Sequence, residues 1–92
     1  MSEEKKIEIL DFYADWCGPC QMMKPTMEEF KQTHPEIKVT AINIDEEEEL
    51  AEKYNVSSIP CVVFLRDGEE IDRGVGALSL RKLEKMVEKA KG

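Results

Sequence analysis

Two thiols separated by two residues carry the most chemistry in this chain: Trp16-Cys17-Gly18-Pro19-Cys20 follows an apolar run and opens a helical pattern. Residues three apart share one helix face, so both sulfurs can meet in a disulfide, and Pro19 suits a first turn where its missing N–H has no partner to lose. Cys17, at the tip, faces the free amides and the positive end of the helix dipole, which stabilises its thiolate. A pKa lowered by ~1.5 units raises the thiolate fraction at neutral pH roughly 15-fold, and a Brønsted slope near ~0.45 takes back roughly 5-fold in nucleophilicity. The larger gain comes when Cys17 leaves a mixed disulfide under attack from Cys20, which makes Cys20 the resolving thiol. Two plainer uses exist. A tetrahedral zinc site needs four ligands, and Cys61 and the lone His34 stand at no usual ligand spacing. Inert core cysteines would need neither Gly-Pro between them nor a tryptophan beside them, so redox chemistry is the stronger reading.

The surrounding elements must hold this turn. Ile7-Glu8-Ile9-Leu10-Asp11-Phe12-Tyr13 reads as a buried strand with one anomaly, Asp11. Cys20, Met23, Met27 and Phe30 recur on one face of an amphipathic helix that Pro25 should kink and that ends near His34-Pro35. A second strand follows over Ile37 to Ile44. Asp45 then reads as the N-cap of a second helix, with Glu48 completing a capping box, Glu46 to Glu49 loading the dipole, and Leu50, Ala51 and Tyr54 facing inward. Val62 to Leu65 and Glu70 to Val75 flank the turn Arg66-Asp67-Gly68-Glu69 as a hairpin. Ser79 caps a last helix with a Leu80, Leu83, Val87, Ala90 stripe. The order is βαβαββα.

Ninety-two residues, 41% of them hydrophobic, give one domain over residues 1–92 with one core. The net charge of −7 repels phosphate backbones and argues against nucleic acid. No apolar stretch approaches the ~20 residues of a membrane span, and the start Met1 to Lys6 lacks the pattern of a signal peptide. A C-x-x-C with a third, unpaired cysteine suits a reducing compartment, so the expectation is cytoplasmic.

The segment Asp11 to Cys20 resembles the active-site segment of the thioredoxin family, and further motifs stay in register: Pro25, Asn43-Ile44-Asp45, Ile59-Pro60, Gly68 and Val75-Gly76-Ala77. The resemblance implies an α/β thioredoxin fold, a four-stranded mixed sheet in the order 2-1-3-4 flanked by three helices. It implies a thiol–disulfide oxidoreductase that reduces protein disulfides, with Cys17 attacking, Cys20 resolving and no cofactor or metal. It also implies a shallow docking groove formed by Trp16, Gly18, Pro19, Ile59, Pro60, Val75 and Gly76, with a cis bond before Pro60. Physically, a substrate strand can bond the backbone beside Pro60 while Gly76 admits a close backbone approach. Asp11 matches the residue to which the family gives the proton from the resolving thiol. Its position between apolar neighbours would raise its pKa and suit it to that task.

Three departures stand out. Where thioredoxins commonly place a lysine near the buried aspartate, this chain has Ala41, so Asp11 is expected to stay neutral over a wider pH range unless Lys38, Lys53 or water compensates. The residue after the proline is Cys61, expected as core packing, with a regulatory thiol as the minority view. Only six residues precede the first strand, too few for the extra strand and helix of a usual thioredoxin, which leaves a glutaredoxin-sized core with Ile37 to Ile44 as an edge. Lys38 and Thr40 blunt that edge, or it pairs with another chain; the expectation is a monomer, with an edge-strand dimer as alternative. The expected partners are protein disulfides and a thioredoxin reductase, either an NADPH-flavin enzyme or a ferredoxin-linked one. The competing functions are a glutaredoxin-like redox protein and a non-catalytic binding module on the same fold.

Overall fold

The structure, a computed structural model, describes residues 6–92; the expectation about a targeting segment falls largely on residues 1–5, outside them. The elements are β1 (Ile7–Tyr13), α1 (Gly18–Thr33), β2 (Lys38–Asn43), α2 (Glu48–Lys53), β3 (Cys61–Arg66), β4 (Glu69–Val75) and α3 (Leu80–Lys91). They build one sheet in the order β2-β1-β3-β4, with β1 parallel to β2 and antiparallel to β3, and β3 antiparallel to β4. This is the mixed four-stranded thioredoxin fold with three helices. No described helix is long and apolar enough to cross a membrane.

Strand alternation sorts β1 between two faces of the sheet. Ile7 and Ile9 pack with Met23, Met27 and Phe30 of α1 and Leu83, Met86, Val87 and Ala90 of α3. Phe12 turns to the other face, joining Ile42, Cys61, Val63 and Leu65 under Leu50 and Tyr54. The α1 stripe read from the sequence, Cys20, Met23, Met27 and Phe30, is the set that helix buries. Each such side chain contributes on the order of 1.5–3 kcal/mol by leaving water. Pro25 lies inside α1 on the exposed side, and α1 is assigned as one helix from Gly18 to Thr33. His34 ends it, stacked on Phe30 at 4.6 Å with Nε2 3.2 Å from Glu84 of α3, which ties the two helices together.

Two turns follow the sequence closely. Asp67 (φ 53°) and Gly68 (φ 88°) both take the left-handed conformation demanded by a two-residue hairpin. Ser79 caps α3, its hydroxyl accepting from the Lys82 amide at 3.1 Å. In α3 the buried stripe is Leu83, Met86, Val87 and Ala90, with Leu80 only half-buried.

The second helix differs from its sequence reading. It starts at Glu48, its N-cap is Glu47 with no side-chain cap bond, and it buries no residue fully. Asp45 is not the cap. Its amide instead donates to the Asn43 side-chain carbonyl at 2.9 Å, closing an Asx-type turn that ends β2 and leaves the Asp45 carboxylate free to reach elsewhere. The far end of α2 is held by Arg73 of β4, which donates to the Tyr54 carbonyl at 2.6 Å and pairs with both Glu70 carboxylate oxygens.

Candidate active site

Strand β1 ends at Tyr13, and a short turn delivers the chain to α1 with Cys17 at the N-cap. Cys17 is joined to Cys20 by a disulfide, and its sulfur accepts from the Cys20 amide at 3.2 Å. That amide is one of the orphan donors every helix start carries, so a sulfur here occupies the place of a capping oxygen. The first turn of α1 contains no acidic residue, which leaves the positive end of the dipole to the thiol. Both cysteines are nearly buried, packed with Ala14 against Tyr13, Ile44 and Ile59.

Of the residues expected to form a groove, Ile59 packs against the two cysteines. Gly18 and Pro19 are exposed, Ile59 is half-buried and Pro60 buried, with the Ile59–Pro60 peptide bond cis. The Gly76 amide donates to the Pro60 carbonyl at 2.8 Å, which ties the two rim loops together. Gly76 sits at φ +94°, where a side chain is strained, and nothing lies within 4 Å of where its Cβ would be. Trp16, next in sequence to Cys17, is 69% exposed, and Val75, next to Gly76, is 57% exposed.

Trp16 does not float. Its indole N–H donates to the Asp45 carboxylate at 2.9 Å. The sequence reading missed this role for Asp45, because a residue 29 positions away reaches the tryptophan only through the β1–β2 pairing. Met22 on α1 is a further exposed apolar side chain, at 78%.

Asp11 lies in the middle of β1, beside Ala41 of β2 and Val62 of β3 in the register, on the face covered by α1 and α3. Burial raises its pKa from 3.8 to about 6, and Lys31 of α1 pulls it partly back. The compensating cation is therefore neither Lys38 nor Lys53. Lys38 alternates to the opposite face of β2 from Val39, and Lys53 belongs to α2 on the far side of the sheet. A charge carried on a helix packed across the sheet is invisible to local patterning.

Cys61 is the free cysteine, 1% exposed in the Phe12 cluster. Burial pushes its thiol up, with the Arg73 guanidinium opposing. Such a thiol is a small core hydrophobe. Among the described residues no group of three or more His, Cys, Asp or Glu side chains gathers to hold a metal ion.

Comparison with known proteins places this geometry. The family model described as Thioredoxin matches residues 1–89. The thioredoxin of Chlamydia trachomatis serovar D is 38% identical over 81 residues, covering 88% of this chain and 79% of that protein. The thioredoxin of Bacillus subtilis is 40% identical over 84 residues, covering 90% and 81%. Among solved structures, Fasciola hepatica thioredoxin superposes with a TM-score of 0.87 at 36% identity, covering 94% of this chain and 82% of that one. Thioredoxin NaTrxh from Nicotiana alata gives 0.88 at 33%, covering 95% and 75%. With a disulfide at a helix start, an exposed tryptophan beside it and a family match across nearly its whole length, this chain belongs to the thioredoxin family of thiol–disulfide oxidoreductases.

Proposed function

We propose that this oxidoreductase reduces protein disulfides by forming a mixed disulfide at Cys17 that Cys20 then resolves. In the reduced chain the Cys17 thiolate attacks one sulfur of a substrate disulfide, forming a mixed disulfide and releasing a substrate thiolate. The Asp11 carboxylate takes the Cys20 proton, and the Cys20 thiolate attacks the Cys17 sulfur and expels the second substrate thiolate. Two electrons pass from the thiol pair to the substrate, and the chain is left with the Cys17–Cys20 disulfide. The observation that carries this reading is the sulfur at the N-cap of an acid-free first turn, accepting the Cys20 amide at 3.2 Å.

Substrate chain docks in the groove of Trp16, Gly18, Pro19, Ile59, Pro60, Val75 and Gly76. Support comes from the exposed Trp16 and Val75 and from the open approach at Gly76. Asp11 suits its task because a group with a pKa of about 6 is ionised at neutral pH yet basic enough to accept a thiol proton. The pair is recharged by a thioredoxin reductase, NADPH-flavin or ferredoxin-linked. The chain acts as one monomeric domain in the cytoplasm, where a reducing pool keeps Cys61 a thiol.

Insulin reduction by dithiothreitol tests the reading. The native chain should accelerate it and Cys17→Ser should not; a native chain no faster than background would leave the binding module as the better account.

A further inference from the structure

Away from the disulfide, a cleft of about 480 Å³ opens between residues 72–74 of β4 and the flank of α3. Lys82, Lys85 and Lys89 line it, with Met86 among its lining residues. On α3 the three lysines fall on one side of the buried stripe, whereas both acids of the helix, Glu84 and Glu88, lie on the other side with Lys91. Among the described residues none of the three forms an ion pair. The one acid lining the cleft, Asp72, accepts from the neighbouring Arg73 amide at 2.9 Å. In a chain of net charge −7, three ammonium groups with no ion-pair partner among the described residues line one cleft, a local positive patch on an acidic protein.

The cleft also borders a free sheet edge. β4 is the last strand in the order β2-β1-β3-β4, so one side of its backbone has no strand partner. The same strand ends at Val75, the exposed rim of the substrate groove. We propose that this cleft docks an acidic, extended segment of a partner protein, added alongside β4 with alternate carboxylates turned toward the lysines. Same-face residues of an added strand stand about 7 Å apart. Lys82 to Lys89 spans about 10 Å of helix, so two or three carboxylates come within reach of the flexible ammonium arms. Continuity along β4 lets one partner occupy the rim and the cleft together, which gives the cleft a part in partner choice while the sulfur chemistry proceeds without it.

The test is a titration of the isotope-labelled full chain, followed by amide NMR, with a capped seven-residue peptide bearing glutamate at alternate positions. Its lysine counterpart and inorganic pyrophosphate are run in parallel. The glutamate peptide should move the amides of residues 69–75 and 82–89, while the lysine peptide moves neither. Affinity should fall about tenfold or more in the triple variant Lys82→Gln, Lys85→Gln, Lys89→Gln, and similarly in about 0.5 M salt. The variant's circular dichroism and its reduction of a small soluble disulfide should match the native chain, which separates a lost docking site from a lost fold or lost redox chemistry. Pyrophosphate binding with β4 amides unmoved by the peptide would overturn the proposal in favour of a small-anion site. Undiminished peptide binding by the triple variant would overturn it outright.

Discussion

The two helix starts on either side of β2 treat the same physical resource in opposite ways. At α1 the N-cap is a sulfur, the first turn carries no acid, and the free amides and dipole point at Cys17. At α2 the N-cap Glu47 makes no side-chain bond, and Glu48 and Glu49 in the first turn take up the positive end. A carboxylate near a helix start is stabilising by about 0.3–1 kcal/mol, so acids are the ordinary occupants. Their absence from α1 costs that helix a little stability and reserves the field for a group that changes charge during turnover. One start serves the fold and the other serves the chemistry.

The largest way to break the contrast is to separate the two sulfurs. Cys20→Ser leaves Cys17 with its dipole and removes the resolving attack. The variant should lose multiple turnover to background while trapping a substrate as a stable mixed disulfide at Cys17, seen as a mass adduct removed by dithiothreitol. Recovery of full turnover would show that resolution does not pass through Cys20.

Asp11→Asn comes next. The folded pKa of about 6 lies above the ordinary 3.8, so the native state favours the neutral carboxyl. Below pH 3.8 the group is protonated folded or unfolded and no penalty exists; as pH rises toward 6 the unfolded chain ionises freely and the folded one does not. Stability therefore declines across that window and levels off above it. At about 1.4 kcal/mol per pH unit the penalty reaches about 2–3 kcal/mol, and the asparagine variant should be more stable by about that much at pH 8 and by almost nothing at pH 3.5. Turnover at pH 7 should fall about tenfold or more, the cost of losing a positioned base. Denaturant melts at the two pH values and an insulin assay read both halves; equal gains in stability at both pH values would refute the shifted carboxyl.

What the sequence made legible follows from the range of the interactions. The α1 stripe, the Asp67-Gly68 turn and the Ser79 cap are short-range, and each is found where periodicity or turn chemistry puts it. The strand order and the family fold were legible through the register of motifs. Asp45 was misread because its local context, an acid before a run of glutamates, is that of a cap, while its actual partner Trp16 comes through the β1–β2 pairing. Lys31 is missed for the same reason: its charge acts on Asp11 from a helix packed across the sheet, while the strand residue Lys38 alternates to the other face. Long-range partners are set by packing, which no spacing along the chain encodes.

Giving α1 the acid it lacks should sharpen the contrast more gently. Gly18 is exposed, its φ is ordinary, and a Cβ there meets nothing within 4 Å, so Gly18→Asp fits the first turn without strain. The added carboxylate should raise the Cys17 pKa in the reduced chain by about half a unit, an electrostatic change of under about 1 kcal/mol. Alkylation rate against pH, with Gly18→Asn as the neutral control, reports the shift directly. An aspartate variant that titrates like the asparagine one would mean that the dipole does not set the thiol.

The smallest effect belongs to the other start. Glu48→Gln removes one exposed first-turn charge from α2, worth about 0.3 kcal/mol, or a fall in melting temperature of about 1–2 °C for a domain of this size. The informative part is what should stay fixed. Asp45 lies just upstream of α2, but its amide is held by the buried Asn43 side chain, and its carboxylate accepts the Trp16 indole. If the Asn43 turn positions Asp45, fraying the helix start leaves Trp16 fluorescence and turnover unchanged while the melt moves. If the glutamates of α2 position it, tryptophan emission and activity shift along with stability. The first outcome makes the acidic run a fold device that ends short of the site; the second extends the site into α2.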